Sequence, residues 1–495
     1  MRWIWGLLLC AAGTACKPEA PLQERIEASG YPDATGGIFL TTCATEDCHA
    51  GPSPEAGLSL ESWEQLMAGS ARGAVLVPYE TDWSFLFQHV NTYPDLGLRA
   101  LPTMPEDSSE FLSRAEVLRL RDWISAGALS RSGAYYWAQR KQETGQKVFA
   151  LCSGSDLVAV SDLGSDRIMR FVEVGQLPGE LEAPHYIAVS PDRQHFYVTL
   201  INGNLLEKYR TDTYAFAGRV AIGASPSLIA LSPDGSRAVV THWNDSENEA
   251  KLSLIDTETM TLVQEIRAGG SFMSYPHGLA ANADFSVIYV TANQGNYISR
   301  LELDADGFLS EEKWVLDPAN DPLERPTNAY LPYQVLLSPD GQRLYISCSA
   351  RDEVRVLHAQ TGALLAVIPV GDYPRLMALD PAGGRLFVAC RSQENAAEQG
   401  AVQGCVSVID LAELRFLRNL YNVGHRPHGV SVAPGGRLLY ISSENTGGTD
   451  IPHHPTAGSA SPPGKYNVVD LQTLQVLKDR ERDLAEIPNA LIVVE

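Results

Sequence analysis

Apolar residues are spaced in two different ways along the chain, and the change falls near residue 147. From about residue 31 to 129 they recur at helical intervals. The clearest run is Leu112, Val117, Leu118, Leu120, Trp123 and Ile124, with Gly127 just beyond it. Spacings of three and four put these side chains on one face, so a helix over Leu112–Ile124 closing a small core is predicted. Beyond residue 147 short runs alternate with a period of two, as in Phe196-Tyr197-Val198-Thr199, Ile288-Tyr289-Val290-Thr291 and Leu344-Tyr345-Ile346-Ser347. Each follows a tight turn: Ser190-Pro191-Asp192, Ser232-Pro233-Asp234-Gly235, Asn282-Ala283-Asp284, Ser338-Pro339-Asp340-Gly341, Asp380-Pro381-Ala382-Gly383 or Ala433-Pro434-Gly435-Gly436. A second hairpin strand often comes next, such as Leu252–Asp256 or Val406–Asp410. These are the marks of short antiparallel strands joined by Asp- and Gly-bearing turns.

The turn-and-strand unit recurs roughly every 40 to 60 residues, a period that belongs to repeat architectures. Six full units can be counted, and a seventh is split between the two ends of the region. Ile487–Val493 would supply the inner strand of a blade begun near Leu157, with Val148–Cys152 as the alternative inner strand. Over about 350 residues the pattern resembles the YVTN-repeat propellers, which implies an all-β ring of seven blades closed by its own termini.

Length and charge sharpen this picture. At 495 residues the chain exceeds one ordinary core. Its formal charge of −22, without a Lys/Arg run, excludes nucleic-acid binding by phosphate neutralisation. Met1-Arg2 and the apolar stretch Trp3–Ala12 form an export leader too short to span a bilayer, and Gly13-Thr14-Ala15 leads into Cys16. That ending resembles the lipobox of bacterial lipoproteins and implies acylation of Cys16; ordinary leader cleavage nearby is the alternative. The expected product is exported to the periplasmic or outer-surface side of the cell envelope and held there by lipid. The expected organisation is a leader over residues 1–16, a tether over 17–30, a small helical domain over 31–129, a linker over 130–146 and the propeller over 147–495.

The candidate chemistry centres on Cys43-Ala44-Thr45-Glu46-Asp47-Cys48-His49. Covalent c-type haem needs two thiols for its vinyl groups and a histidine directly after the second, so that the imidazole reaches the iron. Four residues separate the thiols instead of the usual two, while the Cys-His adjacency is intact. A plain Cys43–Cys48 disulfide with His49 at the surface is the competing reading. A zinc site lacks a second ligand pair. Around the motif stand Gly37-Ile38-Phe39-Leu40, Gly57-Leu58-Ser59-Leu60, Leu101-Pro102-Thr103-Met104-Pro105 and Asp122-Trp123-Ile124-Ser125-Ala126-Gly127. In that order they resemble the planctomycete-type cytochrome c domain over residues 33 to 129. The resemblance implies one covalent haem c, with His49 and Met104 as the iron ligands. His89 competes with Met104 for the sixth position, and Met67 reads as core. The fold class is thus a small all-α cytochrome c domain followed by an all-β seven-bladed propeller.

Each blade enters its inner strand through a proline, and the residues that follow these prolines are His185, Ser227, His277, Tyr333, Arg375, His428 and Asn489. They should border one mouth of the central channel. The insertions Trp243–Ala250, Arg391–Gly404 and Glu444–Lys465, the last with His453-His454, should open on the same rim, as should His242, Cys348 and Cys390. Two readings of the histidines stand: each bonds the next blade's backbone and pins the ring, or His185, His277 and His428 hold a metal or polarise a substrate. Cys390 and Cys405 flank a hairpin and are expected to form a cross-strand disulfide. Three functions follow: electron transfer through one haem, with the propeller docking a redox partner; a haem-linked oxidoreductase acting on a small molecule at the channel mouth; or a surface-anchored binding propeller with a degenerate haem domain.

Overall fold

The structure is a computed structural model that describes residues 20–494, apart from 47, 71–73, 107–110, 137–145, 165, 176, 178–179, 247, 268–272, 305, 381, 394–402 and 445–462. The leader, Cys16 and His453-His454 lie outside the described residues. The chain divides into two compact units, Met1–Ser70 with Thr81–Tyr136, and Ala71–Glu80 with Trp137–Glu495.

The first unit is helical. Leu22–Ser29, Asp33–Ile38, Trp63–Ala68, Phe85–Val90 and Arg114–Ser125 are α-helices, and Phe39–Cys43 continues the second of them as a wider π-turn. The last helix starts at Arg114 rather than Leu112 because Ser113 caps it. The Ser113 Oγ accepts the Glu116 N–H at 3.4 Å, and the Glu116 carboxylate accepts the Ser113 N–H at 2.8 Å. Val117, Leu120 and Ile124 are fully buried, as the spacing requires, and Met67 is core. The rings of Tyr31, Phe39 and Trp123 pack tilted or edge-on at centroid distances of 5.0 to 6.4 Å.

Two boundaries differ from expectation. Residues 22–29, read as tether, form a helix with Ile26 buried against the close-approaching Gly36, where a Cβ would stand 3.0 Å from the Ile26 side chain. Residues 130–136, read as linker, also pack into the unit. Arg131 donates its N–H to the Gly30 carbonyl at 2.7 Å, and Tyr136 meets the Trp63 ring edge-on at 5.6 Å.

The second unit is a ring of seven antiparallel sheets, six four-stranded and one, built from residues 427–486, five-stranded. The inner strands are Pro184–Val189, Pro226–Leu231, Pro276–Ala281, Pro332–Leu337, Pro374–Asp380, Pro427–Val432 and Pro488–Val494. The last of these closes the ring. Pro488–Val494 pairs with Lys147–Cys152, which in turn pairs with Leu157–Asp162, so both terminal candidates are used and the split blade begins at Lys147, one strand before Leu157. Every residue of Lys147–Cys152 is buried, a position that suits an interior strand flanked on both sides.

The repeated turn has a simple cause. In the Ser-Pro-Asp turns the serine hydroxyl donates to the aspartate two residues on, at 2.5 Å from Ser190, 2.6 Å from Ser232 and 2.5 Å from Ser338. The same oxygens accept the N–H groups of His195, Arg237 and Arg343, which open the next strand. A second repeat links neighbouring blades. Thr199, Thr241, Thr291, Ser347 and Ser442 each donate a side-chain hydroxyl to the carbonyl of the residue after the next blade's proline, at 2.6 to 3.2 Å.

One inter-blade contact makes the ring sensitive to pH. Asp156 accepts the backbone N–H groups of Glu182 at 2.9 Å and Ala183 at 2.7 Å. Burial, with Glu182 and Glu207 nearby, raises its carboxyl to about 6. A carboxyl raised in the folded state binds protons that the unfolded chain has already released. Its stabilisation is therefore complete below the unfolded value and is lost as pH rises through the interval up to about 6. Asp156→Asn is expected to remove this loss: the urea midpoint of the variant relative to wild type should rise between pH 4 and 7 (~4 and ~7 bracketing both values). A constant difference would show that Asp156 does not titrate in this interval.

Candidate functional site

The haem-type motif is a closed loop. The π-turn delivers Cys43, the Ala44 N–H bonds the Phe39 carbonyl at 2.8 Å, and the His49 N–H returns to the Cys43 carbonyl at 3.3 Å. Neither thiol is in a disulfide; Cys43 is half-buried and Cys48 exposed. Burial, with Cys48 and Glu116 adding to it, pushes the Cys43 thiol up to about 12.

The His49 ring is oriented by backbone. Its Nδ1 lies 3.1 Å from the Leu58 carbonyl, and Leu60 donates its N–H to the His49 carbonyl at 2.8 Å. A carbonyl only accepts, so Nδ1 carries the proton and Nε2 keeps its lone pair for a metal. This donor set fits a c-type haem: two unjoined thiols and, directly after the second, an imidazole whose outer nitrogen is a ligand. The Leu58 carbonyl carries no side-chain signal, so sequence reasoning had no means of finding it.

Met104 stands half-buried on a separate segment. His89 clamps that segment twice: its carbonyl accepts the Met104 N–H at 2.8 Å, and its Nδ1 donates to the Pro102 carbonyl at 2.7 Å. The structure thus sets both sixth-ligand candidates side by side in the chain's path.

In the propeller the seven residues after the inner-strand prolines form one ring of buried side chains, the most exposed being Arg375 at 7%. His277 Nδ1 donates to the Tyr333 carbonyl at 3.0 Å, and His428 Nδ1 to the Asn489 carbonyl at 2.7 Å, each on the following blade. His277 Nε2 is 3.3 Å from His185 Nε2, and His428 Nε2 accepts the Tyr333 hydroxyl at 3.0 Å. Two of the three histidines therefore pin the ring through backbone.

This geometry does not gather His185, His277 and His428 into one three-histidine cluster. Small Ser227 lets His185 and His277 meet, whereas Tyr333 and Arg375 stand between His277 and His428 in ring order. Among the described residues no three His, Cys, Asp or Glu side chains gather as a metal site. Burial, then Arg375 and Arg391, holds His428 well below the usual imidazole range. A cation would meet the same repulsion.

His242 pairs in register with Pro226, Cys348 with Pro332 and Cys390 with Pro374, which places them alike. His242 is occupied by the Ala224 carbonyl at 3.1 Å and the Ser253 hydroxyl at 2.8 Å, and burial lowers it to about 4. Cys390 and Cys405 are directly opposed across two strands and fully buried. They are thiols rather than the expected disulfide, and Cys390 Sγ bonds the Val388 carbonyl at 3.5 Å and the Ser407 hydroxyl at 3.4 Å. Of the insertions, residues 394–402 and 445–462 lie outside the described residues.

Sequence reasoning missed one pair at this rim. Arg391 and Glu444 each sit one residue beyond Cys390 and Ser443, which pair in register with the inner-strand prolines of adjacent blades, and they form a buried ion pair at 2.7 Å. Their equivalent places in the repeat were the available signal.

Comparison with known proteins supports both units. Residues 46–98 match the family model "Planctomycete cytochrome C", an interval that contains Cys48 and His49 but neither Cys43 nor Met104. Residues 277–398 match "Lactonase, 7-bladed beta-propeller". A curated relative, Antigen Lp49 of Leptospira interrogans, is 24% identical over 292 residues, which cover 57% of this chain and 59% of the relative. Two solved structures share the fold. A functionally unknown protein from Desulfotomaculum acetoxidans superposes with a TM-score of 0.53 at 11% identity, over 70% of this chain and 99% of that one. The periplasmic gluconolactonase of Pseudomonas aeruginosa superposes with a TM-score of 0.50 at 17% identity, over 71% and 99%. The chain carries a planctomycete-type cytochrome c domain followed by a lactonase-type seven-bladed propeller.

Proposed function

We propose that this pairing of a planctomycete-type cytochrome c domain with a seven-bladed propeller is an exported electron-transfer protein. Cys43 and Cys48 would hold one haem c through thioethers, and His49 Nε2 and Met104 would supply its two iron ligands. The observation that carries the reading is the His49 ring, whose Nδ1 is tied to the Leu58 carbonyl while the thiols of Cys43 and Cys48 stay unjoined. When bound, the haem supplies one-electron oxidation and reduction. Cys43 and Cys48 would supply the two thiols for its covalent attachment. His49 supplies the lone pair, and Leu58 fixes the ring plane. His89 holds the Met104 segment by two hydrogen bonds. The propeller serves as the binding module for a redox partner or small-molecule substrate, and acylated Cys16 holds the molecule to the envelope.

The test is a visible spectrum, oxidised and reduced, of full-length protein made with a competent haem-attachment system, followed by haem staining after denaturation. A coloured band that survives denaturation is expected, and a colourless protein refutes the proposal. Met104→Leu is expected to lower the reduction potential, because a neutral thioether favours Fe(II). The fall should be roughly 0.1 V or more, within the ~0.8 V span that axial ligands command. An unchanged potential and spectrum would remove Met104 as ligand.

A further inference from the structure

Away from the central channel, at the start of the third strand of one blade, two buried polar atoms stand without partners around one phenol. The strand Tyr297–Leu303 opens with Tyr297, which is fully buried, and its hydroxyl oxygen accepts the Ser274 N–H at 3.3 Å. The connection to the next blade brings Arg325 alongside. Glu324 donates its N–H to the Asn296 Oδ1 at 2.9 Å, and the Asn296 Nδ2 donates to the Pro322 carbonyl at 2.7 Å. Thr327 donates its N–H to the Gln294 carbonyl at 3.0 Å. These bonds strap residues 322–327 along residues 294–296, directly before Tyr297. The fit is close: a Cβ on Gly295 would stand 2.7 Å from the Tyr297 Cε1. The Ser274 Oγ and the Arg325 Nη1 are nevertheless buried without a partner among the described residues. Each has lost its hydration with nothing in return, which native structures rarely tolerate.

Charge decides what can complete them. Burial raises the Tyr297 phenol to about 12, while the Ser274 N–H and the Arg325 guanidinium act against that rise. All three groups therefore surround one oxygen, and the phenol stays protonated at neutral pH. Glu311, whose carboxylate also acts on Tyr297, is held by Lys313 at 3.2 Å and by the Ser299 hydroxyl at 2.6 Å. Arg325 forms no ion pair among the described residues, so it is the surplus positive charge of the cluster. Water can fill a hydrogen bond here but cannot balance that charge. A metal cation would add to it.

We propose that Ser274, Tyr297 and Arg325 form a binding site for a small oxyanion, with the Arg325 Nη1 and the Ser274 hydroxyl donating to its oxygens. An oxyanion supplies both things the cluster lacks, an acceptor for each donor and a balancing negative charge. Ser274 is 4% exposed and Tyr297 fully buried, whereas Arg325 is half-buried, so access is from the Arg325 side and suits a compact ion. A free inorganic ion and the phosphate of a larger molecule offer the same chemistry. The site lies on a third strand and a blade-to-blade connection rather than on the inner strands. It goes beyond electron transfer and requires nothing of the haem.

The test uses full-length, haem-loaded protein and calorimetric titration with inorganic phosphate, sulfate and glycerol phosphate, in chloride of matched ionic strength to screen non-specific attraction. At least one of the three should bind saturably, and the tighter of free ion and organic phosphate identifies the source the site takes. Arg325→Met should weaken that binding about tenfold or more, as loss of a partly buried charged partner does. Arg325→Lys, which keeps the charge without the fork, should weaken it less. Ser274→Ala should weaken it about fivefold. Neither Arg325→Met nor Ser274→Ala should lower the ligand-free melting temperature, because the unpartnered atoms have no bond to lose. The proposal is overturned if none of the three binds at millimolar concentration, or if Arg325→Met binds as tightly as wild type. Should Arg325→Met lose stability as well as binding, Ser274→Ala decides, and unchanged binding there overturns the proposal. Haem absorbance read in the same samples keeps this outcome separate from that of the electron-transfer reading.

Discussion

Replacing both Cys43 and Cys48 by serine should abolish haem that survives denaturation, and replacing either alone should leave one attachment point and a weakened band. The double variant loses all stainable haem because each thioether is a covalent bond, and no other described cysteine is available: Cys152, Cys348, Cys390 and Cys405 are fully buried within propeller strands. His49→Ala separates the two tasks of the motif. Its thiols remain to react, while the iron loses the ligand that the Leu58 carbonyl orients. Stainable protein with an altered, ligand-deficient spectrum is therefore expected. Should the double serine variant stain as strongly as wild type, the assignment of these thiols falls. If instead wild-type protein is colourless and gains the mass of one hydrogen molecule only on treatment with a thiol reductant, the pair is a disulfide.

The second large effect concerns ring closure. Asp166, in the turn after Leu157–Asp162, accepts the Tyr440 hydroxyl at 2.6 Å on one oxygen and an ion-paired hydrogen bond from Arg480 on the other. Its own carbonyl accepts the Tyr466 hydroxyl at 2.8 Å. Tyr440 and Tyr466 belong to the last full blade and Asp166 to the split one, so this cluster clasps the seam where the ring shuts. The Asp166 side chain is 3% exposed and that of Arg480 22%. Asp166→Ala leaves a largely buried guanidinium and a buried phenol without their acceptor, and should destabilise the propeller by about 3–5 kcal/mol. Asp166→Asn, which keeps an acceptor for the phenol, should lose less. The check is the shift of the urea midpoint at neutral pH. An unshifted midpoint for the alanine variant would mean that the seam is held by strand pairing alone.

Much of this architecture was legible because its causes are local. The Ser-Pro-Asp turns could be read since one serine oxygen and one aspartate organise each of them, and the proline before each inner strand gave all seven ring positions. Ring closure was only half legible. Val148–Cys152 and Ile487–Val493 look alike as apolar runs, and nothing within either states that one is innermost and the other its neighbour. The same limit applied to the histidines. That His277 and His428 bond backbone on the following blade depends on residues 56 and 61 positions away. In the helical unit the Ser113-Glu116 box moved a boundary by two residues, and Gly36 drew a presumed tether into the core.

Pairing of Lys147 with Val494 ties together positions separated by nearly the whole propeller. During synthesis the earliest blade must wait as a three-stranded ribbon, its Lys147–Cys152 edge bare, until residues 488–494 have emerged. Open apolar edges recruit other chains. Trimming those seven residues would therefore favour aggregation over a smaller ring, whereas joining the present ends and reopening the chain between two other blades would keep every strand partnered from the outset.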